Sequence, residues 1–389
     1  MREVHIVGVS QAPITRDTSV RGRYLAASVV RQALADAGVE KDRVDALYVG
    51  NMTSGLLTGQ QQLGGLIADY AELPGLDAVT IEAACASGAA AARMAYLTIA
   101  GGMHDVVVVC GLERMTHVDR DTVTRALATA ADWELEGARG ESFMSLNAQL
   151  MRHYMDRYGA EPRDFAPFSI NAHRNAMTNP NALFHKDVDL ERYLESRVVV
   201  DPIRIFDASP LCNGAAAVVL AAADVARQLR PNDARVAVAA SAAATAPLAL
   251  QRRSDILKLD AVEISTRKAL ADARAAHRDV SFFELHDAFT IMAVLSLESA
   301  GFADPGTGTR FGAEGRIGLD GELPLSTMGG LKARGHPVGA TGVYQLVEAY
   351  LQLTGAAGDN QVPSASLGLV QNIGGTGATV VSHVLRRVD

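Results

Sequence analysis

One stretch of this chain occurs twice. Ala33-Leu34-Ala35-Asp36-Ala37 returns as Ala269-Leu270-Ala271-Asp272-Ala273, and at the same offset Val44 falls on Val280 and Val49 on Leu285. A helical segment and the strand after it therefore match without a gap, as a duplicated half-domain would leave them. A weaker echo follows: Ala86-Ser87-Gly88 opens one Ala-rich helical run, and Ala340-Thr341-Gly342 opens another. A chain built this way must find a fold in which the same unit is used twice.

That unit is of mixed type. Apolar runs of strand length stand at Val4–Val9, Ala46–Val49, Val106–Val109, Ala215–Leu220, Val236–Ala240, Ser281–Leu285 and Ala378–Val384. Several are apolar throughout, as strands covered on both faces must be. Helical patterns lie between them at Tyr24–Ala37, Ser87–Ala100, Leu259–Ala273 and Thr341–Leu353. The alternation predicts an α/β fold with helices on both sides of mixed sheets. Residues 119–204 break the pattern. They are richer in charge, hold the only tryptophan, Trp133, and have helical segments at Phe143–Tyr158 and Phe165–Met177 with no echo in the second half. We read them as an inserted loop domain that covers a site. The first half is then 1–118 with 205–231, and the second is 232–389.

Composition narrows the function. Lys and Arg total 36 against 44 Asp and Glu, a formal charge of −8, which argues against nucleic acid but not against an anionic small ligand held by local cations. Three cysteines, Cys85, Cys110 and Cys212, are too few and odd in number for a secreted disulfide framework, and no CxxC or Cys/His spacing predicts a metal. The opening residues, Met1 to Gly8, read as a first strand and not as a signal peptide, and the longest mild run, Val236 to Leu250, is too short to span a bilayer. A cytoplasmic protein is the expectation.

Four segments carry chemistry. Cys85, in Ala83-Ala84-Cys85-Ala86-Ser87-Gly88, falls at a strand-to-helix turn, where the helix macrodipole favours thiolate and small neighbours admit a substrate. The plain alternative is a buried small apolar residue. His336 lies within Gly329-Gly330-Leu331-Lys332-Ala333-Arg334-Gly335-His336-Pro337-Val338-Gly339-Ala340-Thr341-Gly342. So many glycines predict an irregular loop that brings a histidine close to other groups, as a base to a thiol or, more plainly, as a cap on a carbonyl. His286, in Glu284-Leu285-His286-Asp287-Ala288-Phe289, follows a strand, where it can donate to an oxyanion or stand beside Asp287 as a helix cap. Gln371-Asn372-Ile373-Gly374-Gly375-Thr376-Gly377 reads as a glycine-rich loop lacking the lysine of a phosphate-binding loop, better suited to offering backbone N–H groups to an oxyanion.

Together these segments resemble the thiolase superfamily. The run around Cys85 resembles its nucleophile motif, Gly329–Gly342 its histidine signature, and His286-Asp287-Ala288-Phe289 stands where many thiolases have Asn-Glu-Ala-Phe. The His-Asp form resembles the sterol-carrier-protein-type branch and the archaeal acetyl-CoA acetyltransferases. The resemblance covers nearly the whole chain. It implies a five-layer α-β-α-β-α fold of two duplicated halves, an acyl-CoA acyltransferase activity, and Claisen condensation through an acyl-Cys85 thioester or its reverse. It implies roles as well. Cys85 is the nucleophile and His336 its base. His286 serves the oxyanion of the second acyl-CoA. The N–H groups of Cys85 and Gly374 form the hole for the acyl-enzyme, and Ser209, Phe289 and Met144 line the pantetheine tunnel. Coenzyme A thioesters are substrates, and no covalent cofactor or metal is implied. A homodimer or homotetramer is expected. The archaeal subgroup adds a small zinc-ribbon/OB-fold partner and a hydroxymethylglutaryl-CoA synthase.

The chain also departs from the pattern. Mainstream thiolases carry a second catalytic cysteine where Asn372 stands, and asparagine cannot act as a base. Ala288 stands where the sterol-carrier-protein type has a cysteine, and Ser326 replaces the usual Asn or His. Lys332 and Arg334 occupy places that are commonly apolar. These departures leave the α-proton base open between Cys212 and the histidines. They also admit carbon acylation of a phenolic ring, which needs no such base. Non-acylating aldolases and lipid-binding relatives share the fold but tend to lose the motif residues kept here. Cys110, at the end of an apolar run, reads as core.

Overall fold

The computed structural model describes residues 1–229 and 235–388. Eleven strands run in chain order: β1 (Val4–Gln11), β2 (Ala46–Gly50), β3 (Asp77–Ile81), β4 (Val106–Arg114), β5 (Val198–Val200), β6 (Ile203–Arg204), β7 (Asn213–Ala222), β8 (Arg235–Thr245), β9 (Phe282–Glu284), β10 (Leu367–Gly374) and β11 (Thr379–Val388). Nine of them form one mixed sheet in the order β3-β2-β4-β7-β1-β8-β11-β10-β9.

The duplication is visible in that order. From the centre outward, β1-β7-β4-β2 in one direction repeats as β8-β11-β10-β9 in the other. Matching pairs share their sense: β2 with β4 and β9 with β10 are parallel, while β4 with β7 and β10 with β11 are antiparallel. So are β1 with β7 and β8 with β11. The two halves join where β1 and β8 pair antiparallel through His5 with Ala237 and Ile6 with Val236. In the second half β10 passes to β11 through a tight turn. In the first, the equivalent β4-to-β7 connection holds helices Arg120–Ala128, Phe143–Tyr158, Pro162–Ala176 and Leu190–Glu195 and the β5-β6 hairpin.

Helices complete five layers. Gly22–Ala37 packs on β1, β4 and β7, and Asp260–Asp272 on β8 and β11, so each covers the outside of one half. Helices Ser87–Ala100 and Thr341–Thr354 touch each other and strands of both halves, which makes them the shared middle layer. Thr341–Thr354 is buried at nearly every position, as a helix covered all round must be. The two cross at their first turns. A Cβ on Gly88 would lie 2.9 Å from Gly339 O, and one on Gly342 would lie 2.4 Å from Ala89 N. Only glycine permits that approach, and it draws the segments just before both helices, those of Cys85 and His336, together. The core around them is largely alanine, valine and leucine, as the scarcity of aromatic residues requires.

Two expectations change. Gln371–Gly374 is not loop but the end of β10, fully paired with β11, because Asn372 and Gln371 hydrogen-bond inward instead of ending the strand. The Gly329–Gly342 run contains a π-helical turn at Gly330–Arg334, with positive φ at Gly329, Gly330 and Gly335.

Candidate active site

Cys85 follows β3 through a strained turn. Ala84 has φ of +52°, costly for a residue with a Cβ. The turn is held by Ser87, whose Oγ donates to Ala84 O (2.6 Å) and accepts from Ala83 N (2.9 Å), and by Glu82, which accepts from Ala84 N at 2.6 Å. Cys85 is buried, and burial pushes its thiol up to about 12, with the nearby negative charges of Glu113 and Glu82 adding to the rise. The expectation that the helix terminus holds a thiolate is therefore corrected: desolvation outweighs the dipole, and the resting sulfur carries its proton.

His336 arrives on the second half's loop. Its backbone N–H donates to Cys212 Sγ at 3.2 Å, and three residues on, Gly339 N–H donates to the buried Glu113 of β4 at 3.0 Å. The loop is thus fastened to the first half at two points. Two buried ion pairs stiffen it further, Lys332 with Asp287 at 3.3 Å and Arg334 with Glu348 at 3.0 Å. Cys212 faces the loop backbone within the core cluster, with its thiol raised to about 12 by burial. It supports the histidine and does not line the cavity. Cys110 is likewise buried in β4.

The imidazole of His336 is set by Thr341. Its Nδ1 lies 2.7 Å from Thr341 Oγ1, whose hydroxyl reaches Pro337 O at 3.3 Å. A hydroxyl that donates to the carbonyl accepts from Nδ1–H, which leaves the Nε2 lone pair free. The second imidazole, His286, stands edge-on to the first with ring centroids 5.0 Å apart. Asp287 does not cap the next helix. It accepts from Leu331 N at 2.7 Å and pairs with Lys332. Burial lowers His286 to about 3 and holds His336 well below the usual histidine range, with Arg334 contributing to both. Both rings are neutral at rest.

Cys85, His286 and His336, far apart in sequence, place their sulfur and nitrogen atoms within 4.8 Å of one another. They lie in a cavity of about 820 Å³ that Met144, Ser209 and Phe289 also line. Ser209 is placed there by its N–H to Ala288 O at 2.8 Å and by a bridge between Ala208 and Phe289. Gly374 packs behind the Ala83–Ser87 turn, where a Cβ would lie 2.5 Å from Ala83 O, and its neighbour Gly375 reaches the cavity wall. Sequence reasoning missed Thr341 and the exposed arginines Arg16, Arg120 and Arg197 that also line the cavity. The Ser87/Thr341 echo was the available signal for Thr341, since both hydroxyls open a middle-layer helix. Nothing local marks the arginines.

A buried thiol beside two neutral imidazoles, lining a cavity of about 820 Å³, has the chemistry that acyl transfer through a covalent intermediate requires. Residues 4–224 match the thiolase N-terminal domain and 242–387 the thiolase C-terminal domain-like family. The chain belongs to the thiolase family and is an acyltransferase. It is 42% identical over 387 residues, all of both chains, to an acetyl-CoA acetyltransferase of Methanothermobacter thermautotrophicus. It is 37% identical over 99% of both chains to one of Methanocaldococcus jannaschii. A solved structure described as an Ltp2-ChsH2(DUF35) aldolase superposes with a TM-score of 0.87 at 22% identity, covering 99% of this chain and 98% of that one, and shows the same fold. Among the described residues, no helix is long and apolar enough to cross a membrane.

Proposed function

We propose that the chain is an acetyl-CoA C-acetyltransferase in which Cys85 carries the acyl group. The observation that carries this reading is the 4.8 Å cluster of Cys85, His286 and His336. His336 Nε2 takes the thiol proton, the sulfur attacks the thioester carbonyl, and the C–S bond to coenzyme A breaks. The leaving thiolate then recovers the proton from His336. The N–H groups of Cys85 and Gly374 take the oxyanion of this half-reaction, and His286 takes that of the second acyl-CoA. Met144, Ser209 and Phe289 flank the pantetheine arm, and Arg16, Arg120 and Arg197 supply the local positive charge that the phosphates need. Thioesters of coenzyme A enter as substrates, with no covalently bound cofactor.

The same reading gives a homodimer or homotetramer, supported by β3, an edge strand with Val79 exposed. It also includes a small zinc-ribbon/OB-fold partner and a hydroxymethylglutaryl-CoA synthase. Support for the small partner is the structural neighbour described with a DUF35 protein. We place the half-domain boundaries at 1–118 with 205–231 and 232–389, the junction at 231/232 lying outside the described residues, with 119–204 as the cover, and the setting in the cytoplasm. The test is thiolysis of acetoacetyl-CoA by coenzyme A. Wild-type protein consumes acetoacetyl-CoA, and Cys85→Ala does not. Turnover that survives Cys85→Ala refutes the reading.

A further inference from the structure

The mechanism above leaves the α-proton of the second acyl-CoA without a base, and the hydrogen bonds around Asn372 bear on where it goes. Gln345, on the middle-layer helix, points its amide nitrogen at three carbonyl oxygens: Glu284 (3.1 Å), Leu285 (2.9 Å) and Gln371 (3.2 Å). Turning that amide would set oxygen against oxygen three times, so its orientation is fixed and Oε1 must face Asn372. Asn372 answers with Nδ2, 3.1 Å away, because only a donor can meet Oε1. The same Nδ2 lies 3.0 Å from His286 Nδ1. An amide nitrogen has no lone pair to offer, so Nδ1 is the acceptor, and the proton of the neutral ring sits on Nε2. Asn372 Oδ1 has no hydrogen-bond partner among the described residues, so nothing competes to turn the amide the other way.

The two imidazoles are thus held in opposite tautomers. His286 carries Nε2–H, and His336, bonded through Nδ1–H to Thr341, carries the free Nε2 lone pair. We propose that Asn372 is a positioning residue that locks His286 as a hydrogen-bond donor, and that His336 is the single base of both half-reactions. This rests on the acyl-transfer reading above. In the second half-reaction the α-carbon gives its proton to His336 Nε2. The enolate oxygen is held by His286 Nε2–H. The α-carbon electron pair then attacks the carbonyl of acyl-Cys85, a C–C bond forms and the C–Sγ bond breaks. The freed thiolate takes the proton back from His336. No second thiol is needed: Cys212 is turned to the loop backbone, and Lys332, at the same cavity, is paired to Asp287.

Two measurements test this on the intact protein. In protein labelled with ¹⁵N-histidine, long-range ¹H–¹⁵N correlation should show His286 protonated on Nε2 and His336 on Nδ1, with signals assigned by their loss in His286→Asn and His336→Asn. Asn372→Asp, which can only accept, should move the His286 proton to Nδ1. Condensation should then fall about 100-fold, the loss of one oxyanion donor, while Cys85 still acylates. The second measurement is uptake of deuterium from D2O into the methyl group of acetyl-CoA. Cys85→Ala should still exchange, and the double variant with His336→Asn should not. His286 protonated on Nδ1 in the wild type overturns the proposal, as does exchange that is absent from Cys85→Ala or survives His336→Asn. None of these readouts requires acyl-enzyme formation except the Asn372→Asp comparison, so a failed acyl-transfer reading is told apart by absent acylation in the wild type.

Discussion

Gly374→Ala tests how the two halves hold Cys85. The added methyl carbon would stand 2.5 Å from Ala83 O, with Ala83 C and Ala84 Cβ at 3.4 Å. Non-bonded carbon settles at about 3.5 Å from its neighbours, so the carbonyl must retreat by roughly 1 Å. It is not free to do so alone. Ala83 O accepts the N–H of Ala86 at 3.0 Å, and Ala83 N is tied to Ser87 Oγ. The whole Ala83–Ser87 turn, with Cys85 in it, must shift. Overpacking of this kind costs about 1–3 kcal/mol, read as a melting temperature lower by a few degrees. A displacement near 1 Å at the reacting atom costs about 100-fold in rate. The assay is stopped-flow acylation by acetyl-CoA beside calorimetric melting. Gly65→Ala, whose Cβ would meet nothing closer than Gln62 Cγ at 3.9 Å, serves as control and should leave the rate unchanged. Wild-type acylation by Gly374→Ala would refute the claim that this strand end braces the nucleophile.

Three further predictions follow from buried polar pairs. Thr341→Val removes the acceptor of His336 Nδ1–H with little change of shape; acylation should slow about 10–100-fold with KM nearly unchanged, and an unaltered rate would deny Thr341 its role. Arg334→Met alone strands the Glu348 carboxyl, which burial raises to about 8 and which then takes up a proton; the cost in denaturant unfolding should be about 1–3 kcal/mol, whereas Arg334→Met with Glu348→Leu should recover most of the loss. His383 is buried and lowered to about 4 from 6.5 by desolvation, so the unfolded chain binds its proton first as pH falls. Its contribution is present above about 6.5 and drains away towards pH 4. His383→Gln should therefore gain on the wild type by about 3 kcal/mol between pH 7 and pH 4, and parallel unfolding curves across that range would contradict the assignment.

The repeat was legible because a helix and a strand kept their spacing across both halves, and the sheet order carries the same duplication through to β2 with β9 and β1 with β8. The Cys85, His286 and His336 segments were legible because glycine and small residues crowd around single reactive side chains. What was not legible depends on contacts between distant segments. Gln371–Gly374 looked like loop because glycines follow it, yet the amide nitrogens of Gln371 and Asn372 donate inside the protein, to Thr266 and Ser382 and to Gln345. The thiol of Cys85 was expected to be lowered by its helix, a local effect, and is raised by burial and Glu113, which only the folded chain supplies. Asn372 marked a missing cysteine in the sequence. That it faces His286 Nδ1 depends on Gln345, a residue with no motif to announce it.

The central claim is that Cys85 accepts the acyl group. The most direct measurement is intact mass spectrometry of the protein after rapid mixing with acetyl-CoA and acid quench, followed by peptide mapping. We expect one added acetyl group per chain, on the peptide containing Cys85, released by coenzyme A and absent from Cys85→Ala. An unmodified chain, or an acetyl group that persists in Cys85→Ala, would contradict the account.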